Sequence, residues 1–397
     1  MLLCVCKNKI GTDSHLIYDG SSFSWVSRIP NNCWTYGSRC ERDISEPAKS
    51  LGIDFFSFES TKYAKAMRHI IGFDSDILWS KSIPADVFKK HMRDLVEQLW
   101  RFTIENHDGY HMQRIKMNRK TLGQLERSHV HIEKIKTISS EDKTNKSKEV
   151  ERFLPSDKTS LAPPSVYSLI KTITGRLVVE SGPNILTLKK SSRKILKSRF
   201  KNGFIVQADI STLEPRIALA LAGKEYIEDV YSHMSNTLFN GKLDRDQSKI
   251  SILSCIYGAS HWSLSKRLEK NTDSKEVMKK IKDYFKIDEL EEVLKTHYRE
   301  NGFIENLYGR KIKSEDSLVN HFLQSTGVDV SFDVFRSIID EIKKDSLECI
   351  PLYVIHDAIV FDVSRKGLRS LKTIVNKKVH VKKLKADFPL KLELIGG

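Results

Sequence analysis

The spacing of hydrophobic and polar residues changes along this chain, and each change predicts a different kind of element. The first 90 or so residues contain short alternating runs, such as SHLIYDG and SFSWVS, between turn residues, which predicts a small β-containing unit. From about residue 84 to residue 135 apolar residues recur at helical spacing, as in DVFKKHMRDLVEQLW. The Lys- and Ser-rich run KTISSEDKTNKSKEVER that follows predicts a mobile, solvated loop, and we expect a boundary between residues 156 and 164.

The rest of the chain mixes strand and helix patterns. A strand is predicted at 203–209 and helices at about 214–223, 246–259, 275–301 and 319–344, before an apolar hairpin in VIHDAIVFDV. The chain contains no internal repeat. Helices inserted between strands that must meet predict an α+β fold.

Composition and charge narrow the classes of partner. The 397 residues, with 40% hydrophobic content, support one large domain or two to three ordinary ones. The net charge of +15 favours an anionic partner, either nucleic acid or an anionic membrane surface. No run approaches the roughly 18 apolar residues of a membrane span, and the start, MLLCVCKNKIG, is too short for a secretory signal. We therefore expect a soluble, cytoplasmic protein without a membrane partner, whose lysine-rich composition is compatible with a viral or mobile-element source.

Six cysteines do not indicate a disulfide framework at this length, and two of them lie in apolar runs where buried free thiols are usual. Cys4, Cys6, Cys33 and Cys40 could in principle form a zinc site. Their one-residue and six-residue gaps match no common zinc knuckle, so the sequence favours buried thiols here as well.

The segment GFIVQADISTLEPRIALALAG places Asp209 at the end of an apolar strand, five residues before Glu214 opens an apolar helix. A rigid strand end can hold a carboxylate at a cleft. Taken alone, an Asp in this position is more often a turn residue or a helix cap. Pro215 fits the first turn of the helix, where no backbone donor is lost.

In RDQSKISILSCIYG, Arg245, Lys249, Leu253 and Tyr257 recur every four residues and form one slanting stripe along a helix face. One interpretation is a solvated basic end that runs into a buried apolar end. The other is a phosphate grip, in which two cations one turn apart contact adjacent phosphates of a triphosphate and Tyr257 supports a base pair.

The hairpin VIHDAIVFDV places His356 and Asp357 at the bend between two apolar runs. Such residues are costly beside buried strands unless a partner, such as a cation, compensates them. Asp209 and Asp357, on separate strands, could hold two Mg²⁺ ions about 4 Å apart, one activating an attacking hydroxyl and the other stabilising a departing pyrophosphate. An exposed turn with two polar residues is the alternative.

The order of these three segments resembles motifs A, B and C of the family A DNA polymerases, the group that contains bacterial DNA polymerase I and its phage relatives. Three further segments agree, since TITGRLVVESGPNILTL, ENGFIENLYGRKI and NHFLQSTGVDV are similar to the family's Thr-Gly-Arg-Leu, Gly-Arg-Arg and Gln-Gly-Thr-Ala-Ala-Asp segments. The resemblance covers about residues 165 to 397. It implies an α+β right-hand polymerase of the short, phage-type form, with a palm, fingers and a reduced thumb.

The resemblance also implies a division of the chain. The expected regions are an N-terminal extension of unknown role (1–90), a thumb-like helical region with a charged loop (91–164), the first part of the palm with motif A (165–225), the fingers with motif B (226–318) and the second part of the palm with motif C (319–397).

Each matching residue takes an implied role from the family. Asp209 and Asp357 are the implied metal ligands for two Mg²⁺ ions, with Mn²⁺ as a substitute, and Lys249 is the implied proton donor to the leaving group. The implied nucleotide contacts are Arg245, Lys249, Leu253, Tyr257, Tyr231 and Glu214, the last as a steric gate against a ribose 2′-hydroxyl. The implied contacts to the DNA minor groove and primer terminus are Arg176, Asn320, Gln324 and His356.

Three positions depart from the family's pattern. Ala358 stands where the family usually has Glu after His-Asp, which removes one acid near the metals. Leu253 replaces an aromatic residue and alters stacking on the incoming sugar, and Tyr231 replaces a phosphate-contacting His.

The resemblance therefore implies a DNA-dependent DNA polymerase whose partners are primer-template DNA and dNTPs, with any processivity partner unidentified. The first 160 residues contain no Asp-x-Glu pair of the kind that opens a proofreading exonuclease, so we expect no editing. Two alternatives stay open. One is a single-subunit RNA polymerase-like enzyme, against which Glu214 and the Thr-Gly-Arg-Leu segment argue. The other is a degenerate polymerase fold that acts as a nucleic-acid-binding protein, which the three departures motivate.

Overall fold

The computed structural model of the chain describes residues 1–38, 40–51, 53–71, 78–107, 109–141, 145–156, 159–268 and 272–396. They divide into two compact units, Met1–Lys120 and Thr121–Gly397. The boundary expected at residue 90 falls within a long helix, Ala85–Asn106, of the first unit. The division into thumb, palm and fingers stays a prediction.

The first unit contains a four-stranded sheet with the strand order β3-β2-β1-β4, in which β1 is antiparallel to β2 and parallel to β4. A short 3₁₀ helix, Phe58–Ser60, precedes its longer helices. The elements in chain order are β1 (Leu3–Val5), α1 (Lys7–Ile10), β2 (His15–Tyr18), β3 (Phe23–Val26), β4 (Trp34–Tyr36), α2 (Ser45–Ser50), α3 (Lys62–Ile71), α4 (Trp79–Ser82), α5 (Ala85–Asn106) and α6 (Tyr110–Leu122).

The core of the first unit forms between this sheet and the apolar face of α5. Leu95 and Leu99 recur at helical spacing on α5 and are fully buried. On β1, Leu3 and Val5 belong to the same core. Because side chains alternate along a strand, Cys4 points to the opposite face of the sheet.

Five of the six cysteines are buried free thiols, as the sequence analysis expects, but Cys40 is exposed, so the expectation is wrong at that position. Cys40 follows β4 in a polar surface turn. Its sulfur lies 2.9 Å from the hydroxyl of Ser38 and 3.2 Å from that of Thr35. Hydroxyl groups, not an apolar core, surround this thiol.

The elements of the second unit alternate helices with short strands, and a 3₁₀ helix at Lys190–Ile195 precedes its long strands. In chain order they are β5 (His129–Val130), α7 (Ile132–Glu141), α8 (Asn145–Glu151), β6 (Val166–Ser168), β7 (Val178–Ser181), β8 (Leu196–Lys197), β9 (Phe204–Ile210), α9 (Leu213–Leu221), α10 (Val230–Thr237), α11 (Arg245–Ile256), α12 (His261–Ser265), α13 (Ser274–Phe285), α14 (Ile287–Asn301), β10 (Ile304–Glu305), β11 (Lys311–Ile312), α15 (Leu318–Lys344), β12 (Cys349–Ile355), β13 (Ala358–Val363), α16 (Arg365–Asn376), β14 (Val379–Val381), β15 (Ala386–Phe388) and β16 (Leu390–Gly396).

The run predicted as a mobile loop forms helices, so that prediction is wrong for its described residues. Residues 142–144, between α7 and α8, lie outside them. Ile135 on α7 and Val150 on α8 are buried, and Phe153 follows in the same core. These few apolar residues anchor two otherwise polar helices, and the Lys- and Ser-rich composition hides that signal.

The central sheet of the second unit has the order β12-β13-β9-β16, with each neighbouring pair antiparallel. Every residue of β13 is buried, which explains its continuous apolar run. α16 packs against β12, β9 and β16, while α15 packs against α9, the helix that follows β9. The sheet thus fixes the ends of β9 and β13.

The helix predicted at 275–301 is two helices, α13 and α14, separated by Lys286 in the left-handed region (φ 52°). Phe285 and Ile287 are both buried on either side of the break. In a continuous helix their side chains would point about 200° apart. The break lets both residues enter the protein interior.

Within the described ranges, the chain contains no helix with the length and apolar character that crossing a bilayer requires.

Candidate active site

Asp209 and Asp357 lie close together at one end of the central sheet. β12 and β13 are joined by a two-residue turn that consists of His356 and Asp357. On the neighbouring strand, Asp209 lies opposite Ala358, and the N–H of Ile210 donates to the carbonyl of Asp357 at 3.1 Å. The turn and the strand end therefore bring together two acids that are far apart in sequence.

Two non-glycine residues near the two acids, one in the hairpin turn and one between β9 and α9, have a left-handed backbone conformation. His356 has φ 54° in the hairpin turn, and Thr212 has φ 62° immediately before α9. Positive φ is uncommon outside glycine and is especially unfavourable for a β-branched residue such as Thr. Such conformations persist where the surrounding structure holds them, and they concentrate at functional sites.

The carboxylates of Asp209 and Asp357 are both partly buried and therefore poorly solvated. Burial, followed by the charge of Asp357, raises the pKa of Asp209 to about 6. Burial also raises the pKa of Asp357, and a backbone hydrogen bond and the nearby charge of Arg176 offset this only in part. Hard divalent cations such as Mg²⁺ prefer carboxylate oxygens. A pair of acids whose charged forms are disfavoured without a cation fits a Mg²⁺ site.

His356 has the opposite shift. Partial desolvation, followed by the charge of Arg176, lowers the pKa of this imidazole. The ring is therefore neutral at physiological pH and keeps one donor and one acceptor for a ligand.

A cavity of about 270 Å³ opens beside the hairpin turn. The helix α15 and the loop of residues 174–176, here called the Thr-Gly-Arg loop, form part of its wall, with apolar side chains such as Phe332. Six of the residues predicted from sequence line it, namely Arg176, Glu214, Tyr257, Gln324, His356 and Asp357.

Arg176, Glu214 and Tyr257 contact one another on the cavity wall. Nη2 of Arg176 lies 3.4 Å from Oε1 of Glu214, whose side chain is only 15% exposed. The hydroxyl of Tyr257 also shares a hydrogen bond with Arg176. Burial raises the pKa of Glu214, and Arg176 lowers it in part. The Thr-Gly-Arg loop, the start of α9 and the end of α11 thus meet around the guanidinium group of Arg176.

The basic end of α11 is organised by the ring of Tyr231. Arg245 and Lys249 are exposed, and their cationic groups lie 5.4 Å and 6.0 Å from the ring centroid. Arg245 Nε also donates to Oδ2 of Asp229, the N-cap of α10, at 2.8 Å. Burial, then the charge of Glu214, raises the pKa of Tyr231 to about 12, and its hydroxyl shares a hydrogen bond with Thr212. The two cations are therefore linked through one ring to the segment that follows Asp209.

The apolar end of the same stripe is less exposed. Leu253 is half-buried on α11, and its carbonyl accepts from the N–H of Tyr257 at 2.9 Å. The side chain of Tyr257 stays 38% exposed at the helix end, where it reaches the cavity.

The two predicted DNA contacts on α15 form a pair. Nε2 of Gln324 donates to Oδ1 of Asn320, one helical turn earlier, at 2.7 Å. Gln324 lines the cavity, whereas Asn320 is not among its lining residues. Asn320 therefore contacts a residue of the cavity wall, and its own contact with DNA stays a prediction.

The loop that carries Arg176 closes over a buried arginine. Gly175 has φ +76°, and a Cβ at this position would lie 2.5 Å from Cζ of Arg310. Arg310 is buried, and its Nη1 donates to the carbonyl of Leu169 at 3.1 Å. Only glycine fits both the backbone conformation and the close approach. The guanidinium group of Arg310 thus supports the loop that presents Arg176.

The last strand, β16, contributes residues that the sequence analysis missed. Lys391 lies opposite Asp209, and Glu393 lies opposite Gln207 on the same strand, β9. Glu393 forms an ion pair with Lys190 at 2.5 Å and contributes to the raised pKa of Asp209. The alternation in PLKLELIG indicates a strand, but the strand with which it pairs cannot be read from a local pattern.

Comparisons with known proteins agree with this arrangement. A family model described as DNA polymerase family A matches residues 90–397. The chain belongs to DNA polymerase family A. The matched range includes the whole of the candidate site, from the Thr-Gly-Arg loop to β16.

Two curated relatives of this family A chain are bacterial enzymes named DNA polymerase I. The one from Lactococcus lactis subsp. lactis (strain IL1403) is 22% identical over 258 residues, which cover 56% of this chain and 29% of the relative. The one from Aquifex aeolicus (strain VF5) is 23% identical over 256 residues, which cover 58% of this chain and 44% of the relative. The chain thus spans less than half the length of these relatives.

A solved structure shares the fold of this family A chain over nearly its full length. The POL domain of Pol1 from M. smegmatis, in complex with a DNA primer-template and dNTP, matches 99% of this chain and 94% of that domain. The TM-score is 0.64 and the identity 13%. The predicted α+β polymerase fold is confirmed, and the roles of individual residues stay predictions.

Proposed function

We propose that this family A polymerase domain is a template-directed DNA polymerase that adds dNTPs to the 3′-hydroxyl of a primer. The convergence of Asp209 and Asp357, beside a cavity lined by Arg176, Glu214 and Tyr257, carries the proposal. The complex of the M. smegmatis domain with primer-template DNA and dNTP supports the same partners here.

Asp209 and Asp357 would hold two Mg²⁺ ions, with Mn²⁺ as a substitute. When bound, the ions would supply positive charge that activates the attacking hydroxyl and stabilises the departing pyrophosphate. The protein's own contribution is positioning, because a strand end and a two-residue turn fix both carboxylates before substrate arrives. No covalent protein intermediate is required.

The basic end of α11 would contact the triphosphate. Arg245 and Lys249 extend from one helix face, one turn apart, and the ring of Tyr231 supports both. Lys249 would donate a proton to the leaving group. Tyr257 would support the nascent base pair, and Leu253 would face the incoming sugar from the same helix.

Two further groups of cavity residues would select the substrate. Glu214 would crowd out a ribose 2′-hydroxyl, because Arg176 and the surrounding burial hold its carboxylate in place. Arg176, His356 and Gln324, the last supported by Asn320, would contact minor-groove acceptors that are common to every correct base pair. Such contacts test base-pair geometry without reading sequence.

We also propose that the chain does not proofread, because no Asp-x-Glu pair occurs in its first 160 residues. A primer with a 3′ mismatch should then stay intact during incubation with Mg²⁺ and without dNTPs. Shortening of the mismatched primer by the purified protein would contradict this. That the chain is of the short, phage-type form stays a prediction.

Primer extension tests the central proposal. The wild-type protein should extend a labelled primer on a defined template when Mg²⁺ or Mn²⁺ is present, and EDTA should abolish this activity. Asp209→Ala and Asp357→Ala should each reduce extension by at least about a thousandfold, because each removes one metal ligand.

The control is Asp340→Ala, since Asp340 is exposed on α15 and has no role in the proposed mechanism. Circular dichroism should show that all three variants fold. Full activity in either active-site variant would end the two-metal assignment. A folded wild-type protein that binds primer-template DNA but never extends it would favour the degenerate-polymerase alternative.

A further inference from the structure

We propose that the first unit contains a binding site for a soft divalent cation such as Zn²⁺, with Cys4, Cys6 and His15 as ligands. The two sulfurs and one ring nitrogen of His15 all lie within 4.8 Å of one another. None of these residues takes part in the polymerase mechanism proposed above. A test of this cation site is therefore independent of a test of the polymerase mechanism.

The strand geometry of the first unit explains why these residues meet. Cys4 lies on β1, and Cys6 follows it in extended conformation (φ −69°, ψ 141°), so both side chains point to the same face. Cys4 pairs with Ile17 of β2, and His15 lies two residues before Ile17 on the same face of that strand.

This strand geometry also explains why the one-residue gap between Cys4 and Cys6 argues, by itself, against a metal site. A zinc knuckle presents its cysteines from a turn, whereas a strand presents residues i and i+2 side by side. The Cys-x-Cys spacing of Cys4 and Cys6 is therefore wrong for a knuckle and suitable for a strand. The third ligand comes from a neighbouring strand and has no fixed spacing in sequence.

The chemistry of this set selects the cation. Cys4 is fully buried and Cys6 is 3% exposed, on the sheet face opposite the main core of the unit. Two sulfurs and an imidazole suit Zn²⁺ better than Mg²⁺ or Ca²⁺, which prefer oxygen. Zinc–sulfur bonds of about 2.3 Å place two sulfurs about 3.8 Å apart in a tetrahedral site. The observed cluster is thus within about 1 Å of a binding geometry.

We assign the fourth position to Cys33, which lies in the same buried cluster as Cys4. It directly precedes β4, and its sulfur lies 3.0 Å from the carbonyl of Pro30. A cation at this point would join β1, β2 and the start of β4. It would add cross-links to one face of a sheet whose strands are only three to four residues long.

One hydrogen bond opposes metal binding in the present arrangement. Nδ1 of His15 accepts from the backbone N–H of Lys7 at 3.3 Å. Coordination through this nitrogen would replace a long hydrogen bond by a bond to the metal. The loss of this hydrogen bond would cost little, because 3.3 Å lies at the weak end of the hydrogen-bond range.

Metal analysis of the full-length protein tests the proposal. Purified, reduced protein should retain close to one Zn²⁺ per chain after dialysis, measured by inductively coupled plasma mass spectrometry. Replacement by Co²⁺ should give thiolate-to-metal charge-transfer absorption in the near ultraviolet. Cys4→Ser, Cys6→Ser and His15→Ala should each weaken Co²⁺ binding by at least about tenfold.

The matched control is Cys40→Ser, which removes an exposed cysteine of the same unit that lies outside the cluster. This variant should bind Co²⁺ like the wild type. A wild-type protein that takes up no Zn²⁺ or Co²⁺ at equimolar concentration would overturn the proposal. Equal losses in Cys40→Ser and Cys4→Ser would also overturn it.

The wild-type spectrum keeps the test decisive if the ligand variants fail to fold. A Co²⁺ complex without thiolate charge-transfer absorption would mean that cysteine does not bind the metal, and the site would be rejected. A near-stoichiometric complex with that absorption, unchanged in Cys40→Ser, would support it.

Discussion

At the scale of single residues, Asp209 has an electrostatic cost that a bound cation would offset. Burial and the charge of Asp357 raise its pKa to about 6, so the folded protein binds a proton more readily than the unfolded chain. Between about pH 4 and pH 6 the folded state therefore holds more protons, and the free energy of unfolding falls as the pH rises. Above the folded-state pKa the full cost is present.

Asp209→Asn should remove this cost. In EDTA at pH 8 the variant should have a free energy of unfolding about 1 kcal/mol above that of the wild type, after allowance for solvent screening at this half-buried site. At pH 4 the difference should nearly vanish, because wild-type Asp209 is then protonated. Urea denaturation at both pH values measures this.

Mg²⁺ supplies the control for the same variant. Millimolar Mg²⁺ should raise the Tm of the wild type and leave that of Asp209→Asn almost unchanged, because binding to the folded state alone stabilises it. A variant less stable than the wild type at pH 8, or equal stabilisation of both proteins by Mg²⁺, would contradict the assignment.

Glu214 gives a test of substrate choice. Glu214→Ala removes the carboxylate that would crowd a 2′-hydroxyl, so the ratio of rNTP to dNTP incorporation should rise at least about tenfold. Single-nucleotide extension with each nucleotide class measures the ratio. Glu225→Ala, at an exposed position after α9, is the control and should keep the wild-type ratio.

Two outcomes would contradict these proposals. An unchanged ratio in Glu214→Ala would reject the steric-gate role. A preference of the wild-type protein for rNTPs would favour the RNA polymerase-like alternative.

At the scale of elements, local patterns locate the segments that carry the site. The strand predicted at 203–209 is β9, and the helix predicted at 246–259 is α11, each within a few residues. Both segments have apolar periodicity that depends on their own side chains. The hairpin with His356 and Asp357 is visible for the same reason, because two apolar runs flank two polar residues.

Features that depend on tertiary pairing were not visible from sequence. β16 lies beside β9 because of strand pairing across the whole unit, so Lys391 and Glu393 could not be assigned to the site. The break at Lys286 arises because Phe285 and Ile287 are both buried, and helical spacing alone does not reveal where the surrounding core lies. The proposed cation site is of the same kind, since its third ligand, His15, comes from the neighbouring strand and has no fixed spacing from the two cysteines.

The Thr-Gly-Arg loop gives a test at this scale. Gly175→Ala should destabilise the protein by about 2 kcal/mol or more, because it adds a contact with the buried guanidinium of Arg310 to an unfavourable positive φ. Displacement of the loop should also weaken primer extension, since Arg176 follows directly.

Gly223→Ala is the matched control for this variant. Gly223 has φ +69°, but a Cβ there would meet nothing within 4 Å. It should therefore show only the smaller backbone cost, about 1 kcal/mol. Thermal denaturation compares the two, and equal destabilisation would mean that the contact with Arg310 has no energetic role.

At the scale of the whole molecule, the net charge of +15 suits a polyanionic partner. Affinity for primer-template DNA should fall by about a thousandfold or more between roughly 50 and 200 mM salt, because phosphate contacts release condensed counterions. Fluorescence anisotropy at several salt concentrations measures the slope. The affinity for a duplex with an uncharged methylphosphonate backbone should depend hardly at all on salt concentration. Salt-independent binding of ordinary DNA would contradict an electrostatic grip.

The position of β16 also affects how shortened forms of this protein should be designed. β9 is an interior strand because β13 and β16 cover its two sides. A truncation before Leu390 would leave one row of its N–H and C=O groups unpaired along the apolar sequence FIVQA, which is a template for edge-to-edge aggregation. Insolubility of such a fragment would report the loss of a covering strand, so activity mapping by C-terminal deletion would be misleading and point substitutions are the better tool.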